Sequence, residues 1–111
     1  MGGDYYFDKI NDRWSATGVG TTAGVTVTKT GATGTSLYSV TGFQCSGDAA
    51  AVVTVESPAA TVLWRKRFAA AFTMSEAFPL GTIKGAVAAD VLVKISASTA
   101  NCEANLQGVP L

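Results

Sequence analysis

The sequence predicts an all-β fold, a single antiparallel β-sandwich domain. Three observations carry this. Apolar and polar residues alternate with a period of two through most of the chain, as they do when one strand face is buried and the other wet. Turn signals recur every eight to twelve residues or so, the spacing of all-β sandwiches and barrels. No strand–helix–strand alternation exists to build a parallel sheet.

The pattern is strongest in Thr61 to Ser96, TVLWRKRFAAAFTMSEAFPLGTIKGAVAADVLVKIS. In its first half Val62, Trp64 and Phe68 fall on one face of a strand, and Arg65 and Arg67 on the other. Ala69, Ala70 and Ala71 favour helix, so a helix over Trp64 to Met74 is the competing reading. The β-branched and aromatic neighbours favour the strand. Phe78-Pro79-Leu80-Gly81 breaks the chain. In the second half Val91, Val93, Ile95 and Ala97 share a face, opposite Leu92, Lys94, Ser96 and Ser98.

In chain order, residues 1–14 are expected to be an N-terminal arm or first element, and residues 15–111 the β-sandwich. The first fourteen hold Tyr5, Tyr6, Phe7, Ile10 and Trp14 among Asp4, Asp8, Lys9, Asp12 and Arg13. They read as strand, short helix or arm. Ser15 to Gly24 is rich in Gly, Thr and Ala and reads as a loop. GVTVTKT, from Gly24, alternates Val25 and Val27 against Thr26 and Thr28, a short strand. Gly31 to Gly34 is a turn. Its glycines lack the Gly-Lys-Ser/Thr ending of a phosphate loop, so they serve as spacers. Thr35 to Ser46 is a strand with a bulge or bend expected at Gly42. After the Gly47-Asp48 turn, Ala51, Val53 and Val55 share a face of a strand that ends at Ser57-Pro58. Cys102, Ala104 and Leu106 alternate with Glu103, Asn105 and Gln107 in a last strand. Gly108 to Leu111 reads as an apolar tail capping the core.

The 111 residues fit one domain, able to bury roughly two-thirds of the surface its unfolded chain exposes. Charged residues are 14% of the chain, against roughly 25% in an ordinary soluble domain. Such a surface suits a chain packed against a partner, or a compact domain coated in Thr and Ser. Eight basic and eight acidic side chains cancel, which disfavours nucleic-acid binding through phosphates. Arg65-Lys66-Arg67 is the one basic cluster, and strand alternation divides it between two faces.

The absence of histidine removes the commonest general base near neutral pH and the partner of most Ser and Cys nucleophiles. Asp4, Asp8 and Asp12 have helical spacing but lack the denser oxygen pattern of a calcium loop. No catalytic residue, cofactor or metal is expected. Cys45 and Cys102 read as free, buried thiols. A bridge between them, as in a secreted domain, is the alternative. The start lacks a basic segment followed by an apolar one, so production in a cytosol is expected. No apolar run reaches the roughly 18 residues of a membrane span. Aromatic and arginine side chains anchor protein interfaces. Tyr5, Tyr6, Trp14, Arg65 and Arg67 are therefore the candidate contact residues. A sugar platform built from Trp14, Tyr38, Phe43 and Trp64 is the alternative, that of a carbohydrate-binding module.

The runs TVLWRKRFAAAFTMSEAFPLGTIKG and DVLVKISASTANCEAN, and the chain as a whole, resemble the decoration or staple proteins of epsilon-fifteen-like short-tailed bacteriophages. The resemblance implies a jelly-roll-like β-sandwich, a homodimer placed on the outer surface of the virion, and the major capsid protein as partner. It transfers no functional residue, because it rests on overall wording and not on a catalytic or ligand motif.

Overall fold

The computed structural model of the chain describes residues 13–20, 24–31, 37–97 and 101–111. Every regular element among them is a strand: β1 (Trp14–Gly20), β2 (Val25–Lys29), β3 (Tyr38–Gly47), β4 (Ala51–Glu56), β5 (Val62–Phe68), β6 (Phe72–Ala77), β7 (Ile83–Lys84), β8 (Val91–Ala97) and β9 (Cys102–Pro110). They form two antiparallel sheets. The first runs β1-β9-β3-β6, with the two-residue β7 following β6 along the same edge of β3. The second runs β2-β8-β4-β5. The chain passes between the sheets so that neighbours in sequence seldom pair, which is the jelly-roll arrangement.

The core fills the space between the sheets. From the first come Val40, Phe43, Cys45, Cys102, Ala104 and Leu106; from the second come Val27, Ala51, Val53, Val55, Val91, Val93 and Ile95. The alternation of these residues decides which strand face turns inward. Each fully buried Val, Leu or Ile contributes about 1.5–3 kcal/mol relative to exposure.

Four expectations need correction. Ser15 to Gly24 is not all loop, because its first part belongs to β1, which pairs with β9 from Trp14↔Gly108 to Gly20↔Cys102. After Trp14 its inward positions, Ala16, Gly18 and Gly20, carry almost no side chain because that face lies close to the other sheet. A Cβ on Gly18 would meet Val27 Cγ2 at 2.8 Å. Second, Val62 does not share the face of Trp64. The β4–β5 register passes from Val55↔Trp64 to Glu56↔Val62, so Leu63 is an extra residue and Val62 swings outward to 49% exposure. Third, the alternation from Val62 does not run on past Phe68. Ala69, Ala70 and Ala71 join β5 to β6, and the Phe68 and Phe72 rings stack with centroids 4.2 Å apart. Fourth, Gly108, Val109 and Pro110 are no tail. They continue β9 along Tyr38, Ser39 and Val40 of β3.

The bulge expected at Gly42 is present, with Thr41 the extra residue. Phe78 N donates to the Thr41 carbonyl at 2.9 Å, so the bulge also anchors the chain leaving β6. A Cβ on Gly42 would come within 2.9 Å of the Glu76 carbonyl oxygen, so the close approach of β6 requires glycine there.

Candidate interaction surface

Each sheet has an outer face, and the two differ in chemistry. On β1-β9-β3-β6 the register sets Thr17, Asn105, Gln44 and Ser75 side by side in one row, and Val19, Glu103, Ser46 and Thr73 in the next. All of these except Val19 line a groove of about 580 Å³. Asn105 Oδ1 is buried at its floor without a hydrogen-bond partner, while Gln107 Nε2 donates to Gln44 Oε1 at 3.3 Å. Thr17, Ser46, Thr73 and Ser75 bring hydroxyls and Gln44 and Asn105 amides, and Glu103 is the one charge among the groove's lining residues.

The outer face of β2-β8-β4-β5 is cationic. Thr26, Lys94, Thr54 and Arg65 lie in one row across the four strands. Ser96, Val52 and Arg67 lie in the next, and Thr28, Leu92, Glu56 and Val62 on the other side. Arg65, Arg67 and Lys94 are exposed. Glu56 is the only carboxylate on these rows, and it is only 6% exposed. Its Oε2 accepts from Thr54 Oγ1 at 2.5 Å, and its Oε1 from Ala60 N at 2.7 Å. The Thr54 hydroxyl draws the Glu56 pKa below the usual carboxylate range. Burial opposes this, and the Ala60 amide and the charge of Lys94 add to the lowering. The carboxylate therefore serves the β4–β5 loop, where it holds Ala60 at φ 75°.

Of the candidate contact residues, Arg65 and Arg67 stand together on this face. Lys66 points to the other side of β5, its Nζ 5.4 Å from the Phe68 ring centre, as alternation required. Lys94 completes the patch. The sequence placed it on a wet strand face, but its neighbourhood with Arg65 depends on β8 and β5 flanking β4, which sequence does not specify. Tyr5, Tyr6 and the Asp4, Asp8, Asp12 series lie outside the described residues. Trp14 is at the far edge of the other sheet and turns inward. It packs edge-on to Tyr38 at 5.3 Å, under Lys29 Nζ at 5.8 Å, with its Nε1 buried and unpartnered.

The aromatic residues considered for a sugar platform take part in internal packing. Phe43 is fully buried and meets Trp64 edge-on at 5.0 Å, and Phe78 closes the cluster. Cys45 and Cys102 are free and buried on adjacent strands. Burial, reinforced by the neighbouring Cys102, pushes the Cys45 thiol up to about 11. Burial also raises Cys102, against a lowering by the Gly20 amide. Both are protonated at neutral pH and make poor nucleophiles. Among the described residues, no group of three His, Cys, Asp or Glu side chains could hold a metal ion, and no helix is long and apolar enough to cross a membrane.

Comparison with models of known protein families and with characterised proteins finds no match for this chain.

Proposed function

We propose that the chain is a phage capsid decoration protein that binds the outer surface of the major capsid shell and clamps subunit junctions. The observation that carries the reading is the outer face of β2-β8-β4-β5. It is a hydrogen-bonded four-stranded surface whose exposed Arg65 and Arg67 project from β5, paired to β4. A clamp needs no reactive group. It binds the closed shell and not the separated subunits, and so raises the cost of opening the shell. Many copies on one shell add avidity. The sequence resemblance supports the same role.

The reading includes a homodimer. Arg65, Lys66 and Arg67 line the free edge of β5 and oppose pairing of that edge with its own copy. The uncharged β1 is the better edge for self-association.

The test is co-sedimentation with purified shells of the phage that encodes the chain, together with the shells' melting temperature. The wild-type protein is expected to sediment with shells and to raise their melting temperature. Arg65→Ala/Arg67→Ala and Tyr5→Ala/Tyr6→Ala are expected to weaken attachment. Failure of the wild-type protein to sediment refutes the reading. Trp14→Ala is unsuitable, because the packing of that ring ties the variant to folding.

A second reading, a carbohydrate-binding module, is favoured by the groove over Asn105. Its amides and hydroxyls match the hydrogen-bonding groups of a neutral sugar, and the unpartnered Oδ1 is free to accept. Glycan-array binding abolished by Asn105→Ala is the outcome this reading expects.

A further inference from the structure

We infer that the outer face of β2-β8-β4-β5 docks onto an acidic protein surface, through a three-cation patch that Lys94 completes with Arg65 and Arg67. The inference rests on the docking role proposed for this face, and it names the chemistry of the partner.

Three observations converge. The first is charge. The rows across the four strands carry Arg65, Arg67 and Lys94, against the single carboxylate of Glu56, which is buried and already accepts from Thr54 and Ala60. The patch is cationic within a chain of formal net charge zero. Glu56 offsets only part of this charge, so the rest of its compensation comes from outside that face.

The second is geometry. Arg65 and Lys94 both stand opposite Thr54, one on each side of it. Two strand spacings separate them by about 10 Å, and Arg67 lies about 7 Å along the strand from Arg65. Strand pairing fixes this triangle, so little backbone entropy is lost when a partner meets it.

The third is the company the cations keep. Thr26, Thr28, Ser96, Val52 and Val62 surround them, and no aromatic ring lies on these rows. Single-stranded nucleic acid takes stacking rings, and duplex DNA takes a longer cationic track. A mixture of arginine, hydroxyl and small apolar groups suits a protein surface bearing carboxylates, which arginine grips in bidentate pairs.

The experiment is a titration of ¹⁵N-labelled protein with a hexaglutamate peptide and, separately, with a twelve-base-pair DNA duplex. Co-sedimentation with the purified shells runs in parallel. The peptide is expected to shift amides of β4, β5 and β8, with affinity falling severalfold between 50 and 200 mM salt. Arg65→Glu/Arg67→Glu/Lys94→Glu is expected to weaken peptide binding about tenfold or more, and Lys94→Glu alone to weaken it measurably. The neutral Arg65→Gln/Arg67→Gln/Lys94→Gln variant, with an unchanged melting temperature, separates loss of charge from loss of fold. Shifts that map elsewhere, undiminished binding by the reversed variant, or equal affinity for the duplex on this face would each overturn the inference. Shells that retain the reversed variant as well as the wild type also overturn it, and leave a clamp only through another surface of the chain. A wild-type protein that ignores shells yet binds the peptide on this face removes the clamp reading and leaves the inference intact.

Discussion

At the scale of single residues, close approaches decide what the sequence tolerates. Gly108 packs directly beneath the Trp14 ring, and a Cβ there would collide with Ser39 O and Trp14 Cζ2. One partner is backbone and the other a ring confined by Tyr38 and Lys29, so neither gives way easily. Gly108→Ala is expected to cost about 1–3 kcal/mol in denaturant unfolding. Glu56 makes a pH-dependent contribution. Its folded pKa is depressed, so its stabilisation is fully present above the ordinary carboxyl value. That stabilisation fades as pH falls through the lower folded value. Wild type should therefore exceed Glu56→Gln in stability at pH 7, and the gap should close on acidification below about pH 4. A gap independent of pH between 7 and 3 would show that the charge of Glu56 contributes nothing. The cysteines give a third test. With both thiols buried and protonated, a thiol reagent at pH 7.5 should label neither until denaturant unfolds the chain.

At the scale of elements, the strands that alternate side-chain character were readable, and those shaped by their neighbours were not. Val25 and Val27 of β2, Val53 and Val55 of β4, Val91, Val93 and Ile95 of β8, and Leu106 of β9 declare their inner faces through apolar type alone. β1 declares nothing, since Ala16, Gly18 and Gly20 face inward with almost no side chain, and its pairing with β9 makes it a strand. The bulge at Leu63 is likewise a property of the β4–β5 pair. For the same reason, exposure of Arg65 and Arg67 could be read from alternation, while the place of Lys94 beside them required strand order. Loops are joined as specifically as strands. Ser57 Oγ donates to the Asp90 carbonyl at 2.6 Å and accepts from Ala86 N at 3.0 Å, tying the β4–β5 loop to the β7–β8 loop. Ser57→Ala leaves both groups without that partner, and should destabilise by about 1–3 kcal/mol with little change in the overall spectrum of the fold.

At the scale of the molecule, β9 is the strand on which the first sheet depends. It lies between β1 and β3 and contributes Cys102, Ala104 and Leu106 to the core. Without it β1 has no partner and β3 loses its longest pairing. A chain ending at residue 101 is expected to show no dispersed amide spectrum and no cooperative melting. A folded truncated chain would mean that the second sheet and β3-β6 suffice.

The central place of β9 has a consequence for biosynthesis. β1 leaves the ribosome long before its partner is translated, and at 5–20 residues per second the interval is roughly 4–16 s. Through that time a nascent strand waits unpaired in a crowded cell. Its sequence, WSATGVG, is poor in the large apolar side chains that would make an orphan strand adhesive. The blandness that hid β1 from a reader of the sequence would also shield it from aggregation until translation supplies its mate.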